Sequence, residues 1–203
     1  LESIRGRAVA ESSAGDAMPK PMFETAALVG TGLIGRSWSR VFVRGGCRVR
    51  LYDPDPEQAK RALHWFHEDV ALDVREGLVT REDEALWRDK VTVHADLREA
   101  LTGAGYVQES GPERLDLKRA IYQAMDAAAE PDATLASSTS ALDVNEFADG
   151  VKGGWRCITA HPVNPPHIVP LVEIQSSRAT KPEVQEKAIA FLAHCGQKPV
   201  VLK

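Results

Sequence analysis

The sequence predicts an α/β fold: a Rossmann-like, doubly wound, mostly parallel sheet with an inserted helical pair after its second strand. Three observations carry this. Short β-rich runs alternate with segments of helical spacing from Thr25 onward. The first run leads into three glycines at the G-x-G-x-x-G interval. The 36 residues between Asp53 and Lys90 are too many for a single crossover helix.

Residues 1–22, "LESIRGRAVAESSAGDAMPKPM", are polar, small and aperiodic, without the apolar core of a signal peptide. They are expected to be a disordered leader or an appended remnant, leaving 23–203 as one dinucleotide-binding domain. The first strand, "AALVG" (26–30), ends in Gly30, Gly32 and Gly35 and opens a helix over 33–44. Leu33, Ile34, Trp38, Val41 and Phe42 are expected on its buried side. Gly30 permits the tight turn, Gly32 admits a pyrophosphate to the backbone, and Gly35 lets the helix lie close on the sheet. The free N–H groups at the helix start then face the anion.

The second strand, "RVRLYD" (48–53), ends at Asp53, eighteen residues beyond Gly35. A carboxylate there accepts hydrogen bonds from a ribose 2′-hydroxyl and repels a 2′-phosphate, so NAD is expected over NADP. Arg50, in mid-strand, reads as solvated. Two helices then follow, over 56–78 and 80–89, the second capped by Thr80 with Asp83 three residues on. Further strands read as 90–95, 105–110, 133–138, 157–161, 171–174 and 198–203, with helices over 113–129 and 182–194.

Two strand ends carry polar clusters. "LASSTSALDVNEF" sets Ser137 to Ser140 where a strand gives way to a helix. The plain reading of that cluster is a helix cap. "HPVNPPHIVPLVEI" (161–174) holds His161 and Glu173 at the two ends of a stretch with four prolines. Prolines lack an N–H and fix φ, so the stretch reads as a shaped turn between strands. Ligands of a doubly wound sheet bind at the carboxyl ends of its strands.

The hydrophobic fraction of 43% supports a packed core, and 27% charged residues is ordinary for a globular chain. A net charge of −4 leaves no basic stripe for nucleic acid. No apolar run approaches the roughly 20 residues of a membrane span. Cys47, Cys157 and Cys195 are an odd, scattered set, which points to free thiols in a reducing compartment, the cytoplasm. His64 and His67 have metal-ligand spacing but no companion cluster, so no metal is expected. Trp38, Trp65, Trp87 and Trp155 read as core or interface. His94 and His194 have no evident partner, and His167 lies in the proline turn, within reach of a substrate.

"VGTGLIGRSW", "LYD", "VQESGPERLDLK", "SSTS" and "HPVNPPHIVPLVEI", in this order, resemble the 3-hydroxyacyl-CoA dehydrogenases over about residues 25–203. Within them, "SSTS" and "HPVNPP" are similar to the lambda-crystallin and L-gulonate 3-dehydrogenase branch; the hydroxyacyl-CoA branch usually has Asn-Thr-Ser and His-Phe-Phe-Asn-Pro. The resemblance implies His161 as catalytic base, Glu173 as its carboxylate partner, Ser140 on the substrate hydroxyl and Asn164 as the motif asparagine. It also implies cofactor contacts from Leu33, Ile34, Glu113 and Lys118, besides the glycines and Asp53. Stiff prolines would then hold His161 beside Glu173, whose charge favours imidazolium and fixes the ring tautomer.

The activity implied is NAD-dependent oxidation of a 3-hydroxy group on a small carboxylated substrate such as L-gulonate. 3-Hydroxyacyl-CoA and carnitine are the alternatives, and a crystallin-like structural NAD-binding protein is the non-enzymatic one. The family also implies a helical C-terminal domain beyond Lys203 that forms a homodimer and supplies another active-site asparagine. This chain resembles the dinucleotide-binding half.

Overall fold

A computed structural model describes residues 20–202. The leader expected over 1–22 therefore lies almost wholly outside the described residues. Eight strands form one sheet: β1 (Thr25–Val29), β2 (Arg48–Tyr52), β3 (Val91–Val93), β4 (Tyr106–Glu109), β5 (Thr134–Ser137), β6 (Cys157–Pro162), β7 (Leu171–Ser176) and β8 (Lys198–Val201). Their order across the sheet is β3-β2-β1-β4-β5-β6-β7-β8. The first six run parallel; β7 pairs antiparallel with β6, and β8 parallel with β7. The order reverses between β1 and β4, which places a crevice at the carboxyl ends of those two strands.

The helices are α1 (Leu33–Arg44), α2 (Pro56–Arg75), α3 (Arg81–Arg88), α4 (Leu97–Leu101), α5 (Leu115–Ala128), α6 (Val144–Ala148) and α7 (Pro182–His194). They cover both faces, and β1 shows how the sequence divides them. Side chains alternate across a strand, so Ala26 and Leu28 join Trp38, Phe42, Phe66 and Phe191 in one core. Ala27 and Val29 join Leu101, Tyr122, Met125 and Phe147 in the other. With both faces covered, all five residues of β1 are buried.

The expected helical pair is α2 and α3. Asp55 caps α2 by accepting from the Glu57 N–H at 3.0 Å, with Pro56 at the first helical position. Thr80 caps α3 through the Asp83 N–H at 3.0 Å. α2 buries one stripe, Ala59, Ala62, Phe66 and Val70, along one side of the inserted arm that it forms with α3. Charge ties that arm to α1: the buried Arg40 guanidinium pairs with both Asp69 and Asp73. Among the described residues no helix is long and apolar enough to cross a membrane.

Several details differ from the sequence reading. Arg50 is not simply solvated; its Nη1 donates to the Glu99 and Thr102 carbonyls at 2.9 and 2.6 Å, closing the end of α4. Helix α4 itself was not expected, being only five residues long, and is capped by Asp96. Leu33 is 56% exposed rather than buried. The reason is angular: Gly35 faces the sheet, and Leu33 lies two residues, about 200°, around the helix from it. The Ser137–Ser140 cluster does not cap a helix, because α6 starts later and is capped by Asp143.

Gly30 has φ +85° and Gly35 packs against it; a Cβ built on Gly35 would lie 1.9 Å from the Gly30 carbonyl oxygen. That contact is backbone on backbone, so no rotamer can relieve it. Gly35→Ala is expected to cost about 1–3 kcal/mol and to weaken dinucleotide binding by displacing the loop. Urea unfolding, paired with an NAD titration, checks both effects.

Candidate active site

The crevice at the switch point is a cleft of about 630 Å³ whose lining includes Gly30, Gly32, Asp53, Ser110 and Gly111. Its geometry fits a dinucleotide. A Cβ at Gly32 would meet nothing within 4 Å, so the backbone there is bare toward the cleft. α1 begins at that point with no side-chain cap and no acidic residue in its first turn. Its unpaired N–H groups and the positive end of its dipole are left for an anion. Leu33 and Ile34 contribute those N–H groups. Tyr52, Leu97 and Ile121 add apolar wall, as an adenine ring requires.

Asp53 is held in place rather than free. Its Oδ2 accepts from the Thr31 N–H at 2.8 Å and the Thr31 hydroxyl at 3.0 Å, and its Oδ1 from the Asp55 N–H at 3.0 Å. A carboxylate oxygen has two acceptor positions, so Oδ1 keeps one for a ribose hydroxyl.

A smaller hollow of about 170 Å³ lies along the same sheet edge, lined by Ser140, His161 and Glu173 among others. β6 and β7 form an antiparallel hairpin whose register sets His161 opposite Glu173. The imidazole Nδ1 lies 2.9 Å from Glu173 Oε2. With a carboxylate as acceptor, Nδ1 carries the hydrogen and Nε2 is the nitrogen open to a substrate. The turn between these strands is braced: the Val163 N–H donates to the Leu171 carbonyl at 2.9 Å, and Gln197 Nε2 to the Pro166 carbonyl at 3.2 Å. Asn164 stands exposed in that turn and is not among the residues lining the hollow.

Two carboxylates position the loops between cleft and hollow. Glu109, fully buried at the end of β4, forms a buried ion pair with Lys118, both Nζ–O distances being 3.0 Å. It also accepts from the Gly111 N–H at 2.6 Å and the Ser137 hydroxyl at 2.7 Å. Glu113 accepts from the Thr139 hydroxyl and from the Ser140 and Ala141 N–H groups at 3.1 Å. Burial works to raise its pKa, but these donors and the Lys118 charge outweigh it and hold Glu113 below the usual carboxylate range. α5 starts at Leu115 rather than 113, and Asp143 rather than a serine caps α6. Lys118, expected at the cofactor, is 1% exposed and turned inward.

Sequence reading also missed a chain of buried hydrogen bonds. Gln108 Nε2 donates to the Ala160 carbonyl at 3.2 Å and to Ser138 Oγ at 2.8 Å. Trp38 Nε1 donates to the same Ser138 Oγ at 3.1 Å. Both acceptor positions of that hydroxyl are thereby taken, so Ser138 must donate to Ser110 Oγ, 2.8 Å away. Ser110 keeps its own hydrogen for the cleft it lines. The sign that could have found Glu109 and Ser110 is the one that marked Asp53: polar residues closing an apolar strand at its carboxyl end.

Residues 25–203 match the model of the 3-hydroxyacyl-CoA dehydrogenase NAD-binding domain. The chain is 39% identical over 177 residues to an L-carnitine dehydrogenase/betainyl-CoA thioesterase of Ruegeria pomeroyi, covering 87% of this chain and 35% of that protein. It is 38% identical over 179 residues to a lambda-crystallin homolog of Bos taurus, covering 87% and 55%. The fold superposes on 3-hydroxybutyryl-CoA dehydrogenase from Escherichia coli with a TM-score of 0.85 and 29% identity, over 88% of this chain and 38% of that one. The chain thus spans less than two thirds of the length of these relatives. With the glycine loop, the Asp53 cleft and this match across the described fold, the chain belongs to the 3-hydroxyacyl-CoA dehydrogenase family, and the dinucleotide it is built to hold is NAD.

Proposed function

We propose that the protein takes part in NAD-dependent oxidation of a 3-hydroxy group on a small carboxylated substrate, L-gulonate or a similar hydroxy acid. The observation that carries this reading is the His161–Glu173 pair, 2.9 Å apart, in one hollow with Ser140 beside the dinucleotide cleft. His161 Nε2 removes the hydroxyl proton as general base. Ser140 orients the oxygen that loses it. Glu173 holds the ring so that Nε2 points outward, and its charge balances the imidazolium once the proton has arrived. NAD, when bound, supplies the hydride acceptor. Asn164 belongs to the same proposal as a residue of the turn that carries His161. Glu113 serves it by holding the Ser140 backbone; a contact between Lys118 and the cofactor requires the ammonium to leave Glu109.

The identity to an L-carnitine dehydrogenase supports carnitine as a second substrate reading. The likeness to 3-hydroxybutyryl-CoA dehydrogenase supports a hydroxyacyl thioester. A crystallin-like protein that only binds NAD is the non-enzymatic reading, and an intact His161, Glu173 and Ser140 set argues against it. Domain organisation is part of the proposal: 23–203 as the NAD-binding unit, joined in the full-length protein by a helical, dimer-forming domain. Ile168, Val200, Val201 and Leu202, between 45% and 69% exposed, offer such a domain an apolar face. Three buried free cysteines suit the cytoplasm.

Three outcomes are expected. NAD should bind more tightly than NADP, and Asp53→Ala should weaken NAD by roughly 10- to 100-fold while narrowing that preference; equal affinities in calorimetry of the unaltered protein would exclude the assignment. His161→Ala in the full-length enzyme should lower kcat by ~10²–10⁴-fold with NAD affinity nearly unchanged. Glu173→Gln should lower kcat less than His161→Ala. NADH formation from L-gulonate, L-carnitine and 3-hydroxybutyryl-CoA separates the substrate readings, and no turnover of any of them would leave the non-enzymatic one standing.

A further inference from the structure

The His161 hollow has a second rung. In the antiparallel pairing of β6 and β7, Thr159 stands opposite Gln175, one pleat repeat from His161 and Glu173. Side chains alternate across a strand, and Ile158, Ala160 and Ile174 enter the core on one face of the sheet. Thr159, His161, Glu173 and Gln175 therefore share the other face, and all four line the hollow. The two rungs lie two residues apart, roughly 7 Å along the strand.

This second rung is polar and unpaired. Thr159 is 6% exposed, and its hydroxyl oxygen is buried without a hydrogen bond. The amide of the half-buried Gln175 side chain makes no hydrogen bond with any described residue. Few native polar groups are left this way, and two of them on one wall of a hollow mark a place that a ligand completes. The rest of the lining narrows the ligand. Among the described residues it includes the acids Asp143 and Glu173, but no lysine, no arginine and no aromatic ring beyond the His161 imidazole. A carboxylate finds no cation there. A quaternary ammonium makes no hydrogen bond and meets no aromatic cage. An acyl chain would leave both the amide and the hydroxyl unpaired.

We infer that Gln175 and Thr159 bind a further hydroxyl of the substrate, so that the hollow selects a polyhydroxylated acid. This rests on the hydroxy-acid reading above and names its specificity determinants. A hydroxyl both donates and accepts, as do a glutamine amide and a threonine hydroxyl, so the groups can satisfy one another. No bond fixes the Thr159 side chain, and rotation about χ1 can bring its oxygen to the hollow that it lines. With the reacting oxygen at His161, a hydroxyl further along the carbon chain reaches the second rung. The hydroxylated end thus enters the hollow, and the carboxylate stays outside it, away from Asp143.

Gln175→Met keeps the length of the side chain and removes the amide; Thr159→Val keeps the shape and removes the hydroxyl. Both are made in the full-length enzyme, and NADH formation gives the kinetics. Calorimetry of L-gulonate, 3-hydroxybutyrate and L-carnitine uses enzyme saturated with NADH, which blocks turnover; NAD is titrated separately. 3-Hydroxybutyrate shares the carboxylate and the 3-hydroxyl of L-gulonate and lacks its other hydroxyls. Each substitution should raise KM and Kd for L-gulonate roughly 3- to 10-fold with a smaller effect on kcat. The constants for 3-hydroxybutyrate, L-carnitine and NAD should stay within about twofold. Thr159→Val should also raise the Tm of the free protein, because it deletes a buried unpaired hydroxyl; a threonine with only a structural role would lower it. Thermal melting checks the folding of both variants, and either one decides alone. Unchanged affinity for L-gulonate, an equal loss for 3-hydroxybutyrate, or no binding of L-gulonate by the unaltered enzyme would overturn the assignment. Binding of L-gulonate without turnover would instead count against the proposed reaction, while the comparison of affinities still decides on the second rung.

Discussion

The buried pair of Glu109 and Lys118 is the constraint on which the working edge of the sheet depends. Glu109 gathers donors from the loop after β4, from α5 and from the end of β5. Two charges removed from water are stable only where geometry and further hydrogen bonds compensate them; removing one partner of such a pair typically costs about 3–5 kcal/mol. Here every donor that compensates Glu109 also fixes a segment of the site. Gly111 begins the wall of the dinucleotide cleft. Ser137 begins the loop that presents Ser140. The pair thus holds two binding surfaces in one arrangement.

From that centre, polar order spreads through groups with no freedom to rearrange. Glu113 accepts from the Ser140 and Ala141 N–H groups of the loop after β5, and so keeps Ser140 on the rim of the His161 hollow. Gln108 and Trp38 fill the acceptors of Ser138 and set the direction in which Ser110 can donate. A site preorganised in this way spends little of its binding free energy on ordering itself. The aromatic packing beneath serves the same end: Trp38 stacks on Phe42 at 5.3 Å and reaches Ser138 with its indole N–H.

The hairpin of β6 and β7 adds a different kind of precision. Side chains alternate across a strand, so a slip of one residue would turn Glu173 to the opposite face from His161. Ile158, Ala160, Val172 and Ile174 are fully buried in one core and exclude that slip. The proline turn supports the pairing by letting the chain leave and re-enter the sheet without unpaired N–H groups at its prolines. The hydrophobic pattern therefore fixes a polar pair that it never touches.

Much of this was legible in the chain itself, because it rests on local rules. Glycine spacing after an apolar strand, a carboxylate ending the next strand, and caps at Asp55 and Thr80 each act within a few residues or one βαβ unit. They determined the fold class, the cleft, the choice of NAD and the helical arm. His161 and Glu173 were visible as polar residues at strand ends, and the family resemblance attached roles to them. What only the tertiary structure decided is where charges and hydrogen bonds end up when distant segments meet. Nothing local to Lys118 says that it turns in to Glu109 rather than out to a ligand. Nothing in mid-strand Arg50 announces the helix carbonyls it closes, and nothing in α1 separates Arg36 from Arg40. Those outcomes depend on which partners folding delivers: Arg40 finds both carboxylates of the arm, and Arg36 is left with the Trp65 ring.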